Sequence, residues 1–408
     1  MSPNTFDISC LCGAVSQRVL PLVAHGEAVE LSINHGDVDR HATGTLCASY
    51  YPIREPHQLL GTAEYHGLDG WARYFCNTCG CHVLRRRDID GVSVWEAATG
   101  VLLNSTGEDI DADARYARHT GVSDTKDGGI SVWLPEIEGR RLDSPTNPVM
   151  VESRTTTKLP PMPLICPKDT LPASCDCGTV SFHIIRPTEQ SYLPHSGFPD
   201  LQYAAVEHSH EFMKNSDSLK WWIRSNGAKY LAGNCACRSY RLISGFEIQT
   251  WAFVPRCNIF FHVPGPDDGH SVILPLNFSD LPAGIAKTYE SSPGVFREFC
   301  AKCGATAFWR DSWRPDVIEV SVGLLRAEEG ARAETWLDWW TERCSFEEET
   351  ERGRSGEPAR IARRLIDGLE RGLRSGAQSN RCSLEPRQIA RGYSIRNKSF
   401  TVTLVVGR

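Results

Sequence analysis

Ten of the sixteen cysteines in this 408-residue chain stand in close pairs, and these pairs are the residues best suited to chemistry. The pairs are Cys10/Cys12, Cys76/Cys79, Cys175/Cys177, Cys235/Cys237 and Cys300/Cys303. Zinc binds four thiolates as a tetrahedron, so two close pairs brought together would form a closed metal site. Residues i and i+2 of a strand face the same side, and a glycine after C-x-x-C permits a turn whose amides point at the sulfurs. The alternatives are buried free thiols or a redox pair, although a redox C-x-x-C motif normally begins a helix and these flanks resemble strands.

The pairs recur because the chain contains one domain twice. CLCGAVSQRV from Cys10 matches CDCGTVSFHI from Cys175, RHATG from Arg40 matches RLISG from Arg241, and RYFCNTCG matches REFCAKCG. The second copy is longer, with insertions before Cys235 and after Gly245. We therefore predict domains at 1–145 and 166–350, joined over 146–165 by a linker rich in Pro, Ser and Thr.

Comparison of the copies assigns the pairs to different tasks. The outer pairs occur in both repeats, so they should supply the metal site that each domain needs for folding. The expected structural ligands are Cys10, Cys12, Cys76 and Cys79 in the first domain and Cys175, Cys177, Cys300 and Cys303 in the second. Cys235 and Cys237 have no cysteine counterparts in the first repeat and should serve another purpose.

Short segments rich in β-branched and aromatic residues, separated by Gly and Pro, must position these cysteines. They predict a mainly β fold of small antiparallel sheets in each domain. The remaining 351–408 segment differs, because Ile361, Leu365, Leu369 and Leu373 recur every four residues. With Pro358 near its start, this pattern predicts an amphipathic helix in a C-terminal appendage.

The composition argues against some classes of protein. Hydrophobic residues make up 41% and charged residues 23%, and the formal net charge is −6. An acidic balance disfavours binding to nucleic acid through phosphate neutralisation. We find no apolar run long enough to span a bilayer and no secretory signal, so we expect no membrane partner and a cytoplasmic location. Thiols in such a reducing compartment stay reduced or bind metal.

Each repeat contains, in order, C-x-C-G, a middle motif that precedes R-x-x-[ST]-G, and C-x-x-C-G. This order of motifs resembles the glutathione-dependent formaldehyde-activating enzyme family, also called the centromere protein V/Gfa domain. The resemblance covers nearly all of residues 6–345, once per repeat. The tandem arrangement is similar to that of fungal members of the family. It implies a β-tent (Mss4-like) fold with one structural four-cysteine zinc and a second, open three-cysteine zinc at the middle motif. It further implies a carbon–sulfur lyase reaction run in reverse, which joins formaldehyde to the glutathione thiol (S-(hydroxymethyl)glutathione synthase). The implied partners are a small thiol such as glutathione and its aldehyde adduct.

The first repeat departs from the family at the middle motif. Asn34, Gly36 and Asp39 occupy the three cysteine positions, so no thiolate remains there. A mixed metal site from His35, Asp37 and Asp39 would have the wrong softness for zinc–thiol chemistry. We therefore expect the first domain to be catalytically silent.

The second repeat keeps two of the three cysteines. Cys235 and Cys237 remain, and Tyr240 stands at the third position. A phenol with an ordinary pKa near 10 is a poor zinc ligand, so a metal here would be held more weakly than by three thiolates. The pair is thus expected either to hold a second zinc or to remain as free thiols. Further ligands could come from Cys257, His208 or His210.

Two functions follow as hypotheses. The first is a zinc-dependent carbon–sulfur lyase-like protein with Cys235 and Cys237 as its catalytic residues and metal ligands. Arg241, together with Arg238, would then hold a glutathione carboxylate by bidentate contact. The second is a non-catalytic, zinc-stabilised binding module in which both middle sites have decayed.

Overall fold

The computed structural model describes residues 5–22, 28–106, 114–144, 169–265 and 271–383, with side chains up to 375 in the last range. The predicted linker 146–165 and the tail beyond residue 383 lie outside the described residues. Most regular structure in the described ranges is β, in several antiparallel sheets, which confirms the mainly β prediction. None of the helices described is both long and apolar enough to cross a membrane.

The first repeat contains a five-stranded antiparallel sheet with the order β4-β8-β7-β6-β5. A three-stranded sheet, β2-β1-β9, and a parallel pair, β3 with β10, complete its frame. Alternation along β1 buries Phe6 and Ile8 on one side, as expected for a strand on a core. The elements are β1 Thr5–Ser9, β2 Ser16–Val19, β3 Glu30–Asn34, α1 Asp37–Thr43, β4 Tyr50–Ile53, β5 Thr62–His66, β6 Ala72–Cys76, β7 His82–Ile89, β8 Val92–Ala98, β9 Leu102–Thr106, β10 Arg115–Thr120, β11 Glu136–Ile137 and β12 Arg140–Arg141.

The main sheet and the parallel pair of the first repeat recur in the second repeat, where the main sheet is larger. Its main sheet runs β15-β16-β17-β23-β22-β21-β20, and the last five strands correspond one by one to the five-stranded sheet of the first repeat. β24 pairs in parallel with β16, as β10 does with β3. The elements are β13 Thr170–Ser174, β14 Ser181–Ile185, α2 His210–Met213, β15 Ile223–Arg224, β16 Lys229–Cys235, α3 Arg238–Ser244, β17 Gln249–Pro255, β18 Ile259–Pro264, β19 Ser271–Pro275, β20 Ala286–Ser292, β21 Val295–Cys300, β22 Thr306–Asp311, β23 Val317–Ser321 and β24 Leu337–Trp339.

The two repeats share one hydrophobic core and meet backbone against backbone. Gly44 ends α1 with φ of 82°, and a Cβ there would lie 2.1 Å from the Thr306 carbonyl oxygen. Gly245 ends α3 with φ of 85°, and a Cβ there would lie 2.3 Å from the His82 carbonyl oxygen. The reciprocal positions make the interface approximately symmetric, and they explain physically why a glycine stands after each of these helices.

The C-terminal helix α4, Gly356–Ser383, is part of the first repeat's packing. Its predicted apolar residues are buried, and it contacts β9, β10 and β11. The chain therefore crosses back from the end of the second repeat to cover the first. The helix continues through Gly376, because an interior glycine costs only about 1 kcal/mol.

Candidate metal centres and a cavity in the second repeat

The outer cysteine pairs of the first repeat converge as predicted. The sulfurs of Cys10, Cys12, Cys76 and Cys79 all lie within 4.8 Å of one another. Cys12 Sγ is 3.5 Å from both Cys10 Sγ and Cys76 Sγ. A zinc–sulfur bond of about 2.3 Å gives a tetrahedral edge of about 3.8 Å, whereas a disulfide bond is about 2.05 Å long. The spacing therefore fits four ligands around one metal ion.

The second repeat repeats this geometry with Cys175, Cys177, Cys300 and Cys303. Cys177 Sγ lies 3.5 Å from both Cys175 Sγ and Cys300 Sγ. The backbone amide of Val180 donates to Cys175 Sγ at 3.3 Å, and that of Lys302 donates to Cys300 Sγ at 3.4 Å. Amides that point at sulfur stabilise the thiolate form, which is the form that binds metal.

Within each cluster the pKa of one thiol is raised while that of a neighbouring thiol is lowered, because the close thiols share protons. Hydrogen bonding with the thiols of Cys10 and Cys76 raises the pKa of Cys79 far above its ordinary value. Burial and the neighbouring thiols do the same to the pKa of Cys303. Four thiolates this close repel one another, so all four can ionise only when a cation lies between them. The two clusters can therefore each hold a metal ion.

Each cysteine cluster contacts the other repeat. The Leu11 amide, between Cys10 and Cys12, donates to the Leu242 carbonyl of α3 at 3.0 Å. Reciprocally, the Asp176 amide donates to the His41 carbonyl of α1 at 3.0 Å. The Tyr65 hydroxyl from the first repeat donates to Asp176 Oδ2 at 2.5 Å. The metal-binding loops are thus part of the interface between repeats.

In the first repeat the middle motif has become a buried charge network. Asp39 is 2% exposed and accepts hydrogen bonds from Arg73 Nη2 at 2.5 Å, Arg85 Nη1 at 3.2 Å and Asn34 Nδ2 at 2.6 Å. Burial would raise the pKa of Asp39, but the charges of Arg73 and Arg85 outweigh it and hold the pKa below its ordinary value. Asp39, which aligns with Tyr240 of the second repeat, is therefore held in a network of paired charges.

His35, Asp37 and Asp39 do not form a metal site in the described residues. His35 Nε2 lies 2.9 Å from His119 Nδ1, and Asp37 pairs with Arg40. The three side chains diverge, because successive residues at the start of α1 point in different directions.

In the second repeat the middle pair is buried at the end of β16 and the start of α3. Cys235 is 4% exposed and Cys237 is 6% exposed. Cys237 Sγ accepts from the Tyr240 amide at 3.3 Å and lies 3.2 Å from Ser239 Oγ. The Tyr240 hydroxyl donates to Glu319 Oε2 at 2.5 Å. The pair forms no group with a third His, Cys, Asp or Glu ligand among the described residues.

Of the proposed additional ligands, His210 lines the same cavity as Cys235 but forms no ligand group with it among the described residues, and Cys257 and His208 do not line this cavity. The Cys257 thiol donates to Asn258 Oδ1 at 3.3 Å, and His208 Nδ1 lies 3.0 Å from the Ala204 carbonyl oxygen. Sequence reasoning missed Cys344, which is a buried thiol. Its neighbour Ser345 forms a parallel β-bridge with Cys235. Cys344 stands alone in the sequence, so spacing provides no signal for it.

A cavity of about 660 Å³ opens beside Cys235, and its wall includes Tyr240, Trp251, Trp309 and Glu319. The strand registers show which residues of the first repeat stand at the positions of these wall residues. Trp309 pairs with Glu319 as Arg85 pairs with Glu96, and Trp251 occupies the position of Tyr50. In the first repeat the Arg85 guanidinium lies 3.7 Å from the centre of the Tyr50 ring and bonds to Asp39. The second repeat has no such arginine at this position, and the insertion before Cys235 supplies further wall residues between 195 and 214.

Arg297 is a second residue that sequence reasoning missed, although its position three residues before Cys300 matches that of Arg73 before Cys76. It is 4% exposed, donates to Ser239 Oγ at 2.9 Å and lies 4.6 Å from the centre of the Tyr240 ring. Nε and Nη1 have no partner within the described residues. For Cys237, burial raises the pKa, but hydrogen bonds from Cys235 and Ser239 and the charge of Arg297 outweigh it and lower the pKa.

The structure gives Arg241 a different role from the predicted ligand contact. Its side chain is fully buried and donates to the carbonyl oxygens of Gly100 at 2.7 Å and Arg352 at 2.9 Å. It does not line the cavity. Backbone carbonyls at the interface between repeats already accept hydrogen bonds from the N–H groups that a ligand carboxylate would need.

Comparison with known family models, curated proteins and solved structures finds no match to this chain.

Proposed function

We propose that this chain is a zinc-stabilised tandem protein whose second repeat acts on a small thiol adduct by forming or breaking a carbon–sulfur bond. In this proposal each repeat is an Mss4-like β-tent, zinc is the metal of both four-cysteine clusters, and the protein works in the cytoplasm. The chemistry is that of the family which the motifs resemble. The observation that carries the proposal is the cavity beside Cys235, which the first repeat fills with charged side chains.

The sulfur of a thiol attacks the carbonyl carbon of an aldehyde, a carbon–sulfur bond forms, and the thiol proton moves to the carbonyl oxygen. The reverse direction breaks the same bond and returns the proton to sulfur. Holding both reactants in one cavity raises their effective concentration. Cys235 lines the cavity, where it would contact the sulfur of the adduct, whereas Cys237 is buried nearby and does not line the cavity.

A third zinc ion fits this site only in part. Cys235 and Cys237 would supply two thiolates, whereas open zinc sites normally have three protein ligands. Since the described residues add no third ligand, any zinc here would need water or the sulfur of the adduct to complete its coordination. We assign no reaction step to a metal at this site.

The Tyr240–Glu319 hydrogen bond favours a second candidate, a binding module without catalysis. Tyr240 stands at the third cysteine position, and its hydroxyl is already engaged by Glu319. A site so arranged could retain a ligand in the cavity without activating it.

Counting metal ions separates the two candidates. The enzyme proposal expects about three zinc ions per chain, with one lost in Cys235→Ser/Cys237→Ser. It also expects the chain to accelerate adduct formation from formaldehyde and a thiol, and the same double variant to abolish that activity. Cys257→Ser is the matched control, because this part-exposed thiol lies outside the cavity. Two zinc ions in the wild type, a third only in Tyr240→Cys, and no rate acceleration would favour the binding module.

A further inference from the structure

The cavity beside Cys235 is lined mainly by rings. Trp251 and Phe253 stand two residues apart on β17 and therefore face the same side of the strand. Trp309 lies on β22, and Trp313 follows that strand. Gly233, beside Cys235, leaves space that the Leu201 side chain occupies. Indole and phenyl rings provide large apolar contact area and stacking geometry, so they favour a flat apolar ligand.

The carboxylates and cationic side chains of the wall are already paired, Lys214 with Glu211 at an exposed edge, and the imidazoles of His195 and His210 also line the cavity. Arg314 donates from Nε to Asp311 Oδ2 at 3.0 Å and also bonds to Glu319. Asp200 accepts from the Ser345 hydroxyl and the Phe346 amide and pairs with Arg343. A buried cation that is paired with carboxylates is poorly available to a ligand carboxylate.

Two buried donors in the wall, Trp251 Nε1 and Asn234 Nδ2, have no partner within the described residues. Trp251 is 2% exposed, and its Nε1 makes no hydrogen bond within the described part of the chain. Trp251 packs in the same cluster as Cys235, Cys237 and Tyr240. A buried N–H without an acceptor is costly, and an oxygen on a bound ligand would satisfy it.

We infer that the cavity takes an uncharged aromatic sulfur compound that carries an acceptor oxygen near the sulfur, rather than glutathione. The inference depends on the proposed function for its placement of the sulfur near Cys235. Glutathione has two carboxylates and an ammonium group, and the paired charges of the wall offer them little. An aromatic ring between the indoles would bury its faces, while the oxygen accepts the hydrogen bond from Trp251 Nε1.

Binding without turnover tests this inference. Three probes are titrated calorimetrically into the full-length, metal-loaded chain: methyl phenyl sulfoxide, cyclohexyl methyl sulfoxide and S-methylglutathione. Ring stacking should make the phenyl probe bind about threefold to tenfold tighter than the cyclohexyl probe. S-methylglutathione should bind at least about tenfold more weakly than the phenyl probe, because its charges must lose water without compensation.

Trp251→Phe keeps a ring but removes the N–H, and it should weaken binding of the phenyl probe about fivefold. Trp71→Phe, in the first repeat and outside the cavity, is the matched control and should leave binding unchanged. If Trp251→Phe folds poorly, the indole N–H resonance of Trp251 in wild type replaces it and should shift when the phenyl probe is added. Equal or tighter binding of S-methylglutathione, equal binding of both sulfoxides, or no effect at Trp251 would overturn the inference. Aromatic binding without any lyase activity would instead refute the catalytic proposal alone.

Discussion

Gly44→Ala tests whether the two repeats depend on close backbone contact. The new Cβ would lie 2.1 Å from the Thr306 carbonyl oxygen, which is 0.9 Å inside the 3.0 Å limit for Cβ contacts. The obstructing atom is backbone in the middle of the shared interface, so no side chain can rotate away. The interface must therefore open or the helix end must shift.

The magnitude follows from comparison with Gly91→Ala. Gly91 has φ of 80°, close to the 82° of Gly44, but a Cβ there meets nothing within 4 Å. Left-handed strain for alanine costs about 1–2 kcal/mol, and the lower entropy of the unfolded chain returns about 0.4–1 kcal/mol. Gly91→Ala should therefore lower the free energy of unfolding by about 1 kcal/mol. Gly44→Ala carries the same strain plus an overpacking cost of about 1–3 kcal/mol.

Urea unfolding of the metal-loaded chain, followed by far-ultraviolet circular dichroism, measures both variants against wild type. We expect Gly44→Ala to be about 2 kcal/mol less stable than Gly91→Ala. Gly245→Ala, whose Cβ would lie 2.3 Å from the His82 carbonyl oxygen, should resemble Gly44→Ala. If both interface variants matched Gly91→Ala within about 0.5 kcal/mol, the described packing of the repeats would be wrong.

Three further predictions concern charge, metal and the C-terminal helix. Asp39→Asn should lower the free energy of unfolding by about 3 kcal/mol, because it leaves two buried arginines short of a carboxylate. Asp69→Asn, which removes a more exposed partner of the same Arg73, should cost about 1 kcal/mol or less in the same urea assay. If Asp39→Asn and Asp69→Asn lowered the free energy of unfolding equally, the described charge network would be wrong. Since the folded pKa of Asp39 lies below its ordinary value, its contribution is present above the unfolded pKa near 3.9 and is lost only as pH falls through the folded pKa. The difference between wild type and Asp39→Asn should therefore be the same at pH 8 and pH 5.5. Cys79→Ser should remove one metal ion and lower the melting temperature of both repeats in a single calorimetric transition, because the repeats share a core. A second repeat that melts as in wild type would refute this prediction. Leu369→Ala, at a fully buried position of α4, should cost about 2–5 kcal/mol, whereas a change below 1 kcal/mol would show that the helix is dispensable for stability.

The sequence by itself determined the repeat, the mainly β class, the helix near residue 361 and the two four-cysteine clusters. These features depend on local or strongly constrained patterns. A metal site of thiolates needs two close cysteine pairs, and comparison of the repeats showed which pairs both copies retain. Alternation and four-residue spacing likewise report the face that each element buries.

Only the tertiary structure decided how the middle motifs of the two repeats are packed. The sequence showed that Asn34, Gly36 and Asp39 stand where the second repeat has Cys235, Cys237 and Tyr240, but not that Arg73 and Arg85 approach from neighbouring strands to pair with Asp39. The cavity of the second repeat depends on strand register, which places Trp309 where the first repeat has Arg85. Such contacts join residues far apart in the chain, so no spacing rule encodes them.

The role of Arg241 shows the same limit. The sequence marked an arginine after each middle motif, and an arginine can serve a ligand or a protein carbonyl equally well. The structure places Gly100 and Arg352 against it, because the two repeats and the segment before α4 meet there. Residue type thus determined which interactions were available, and the packing of distant segments decided which of them formed.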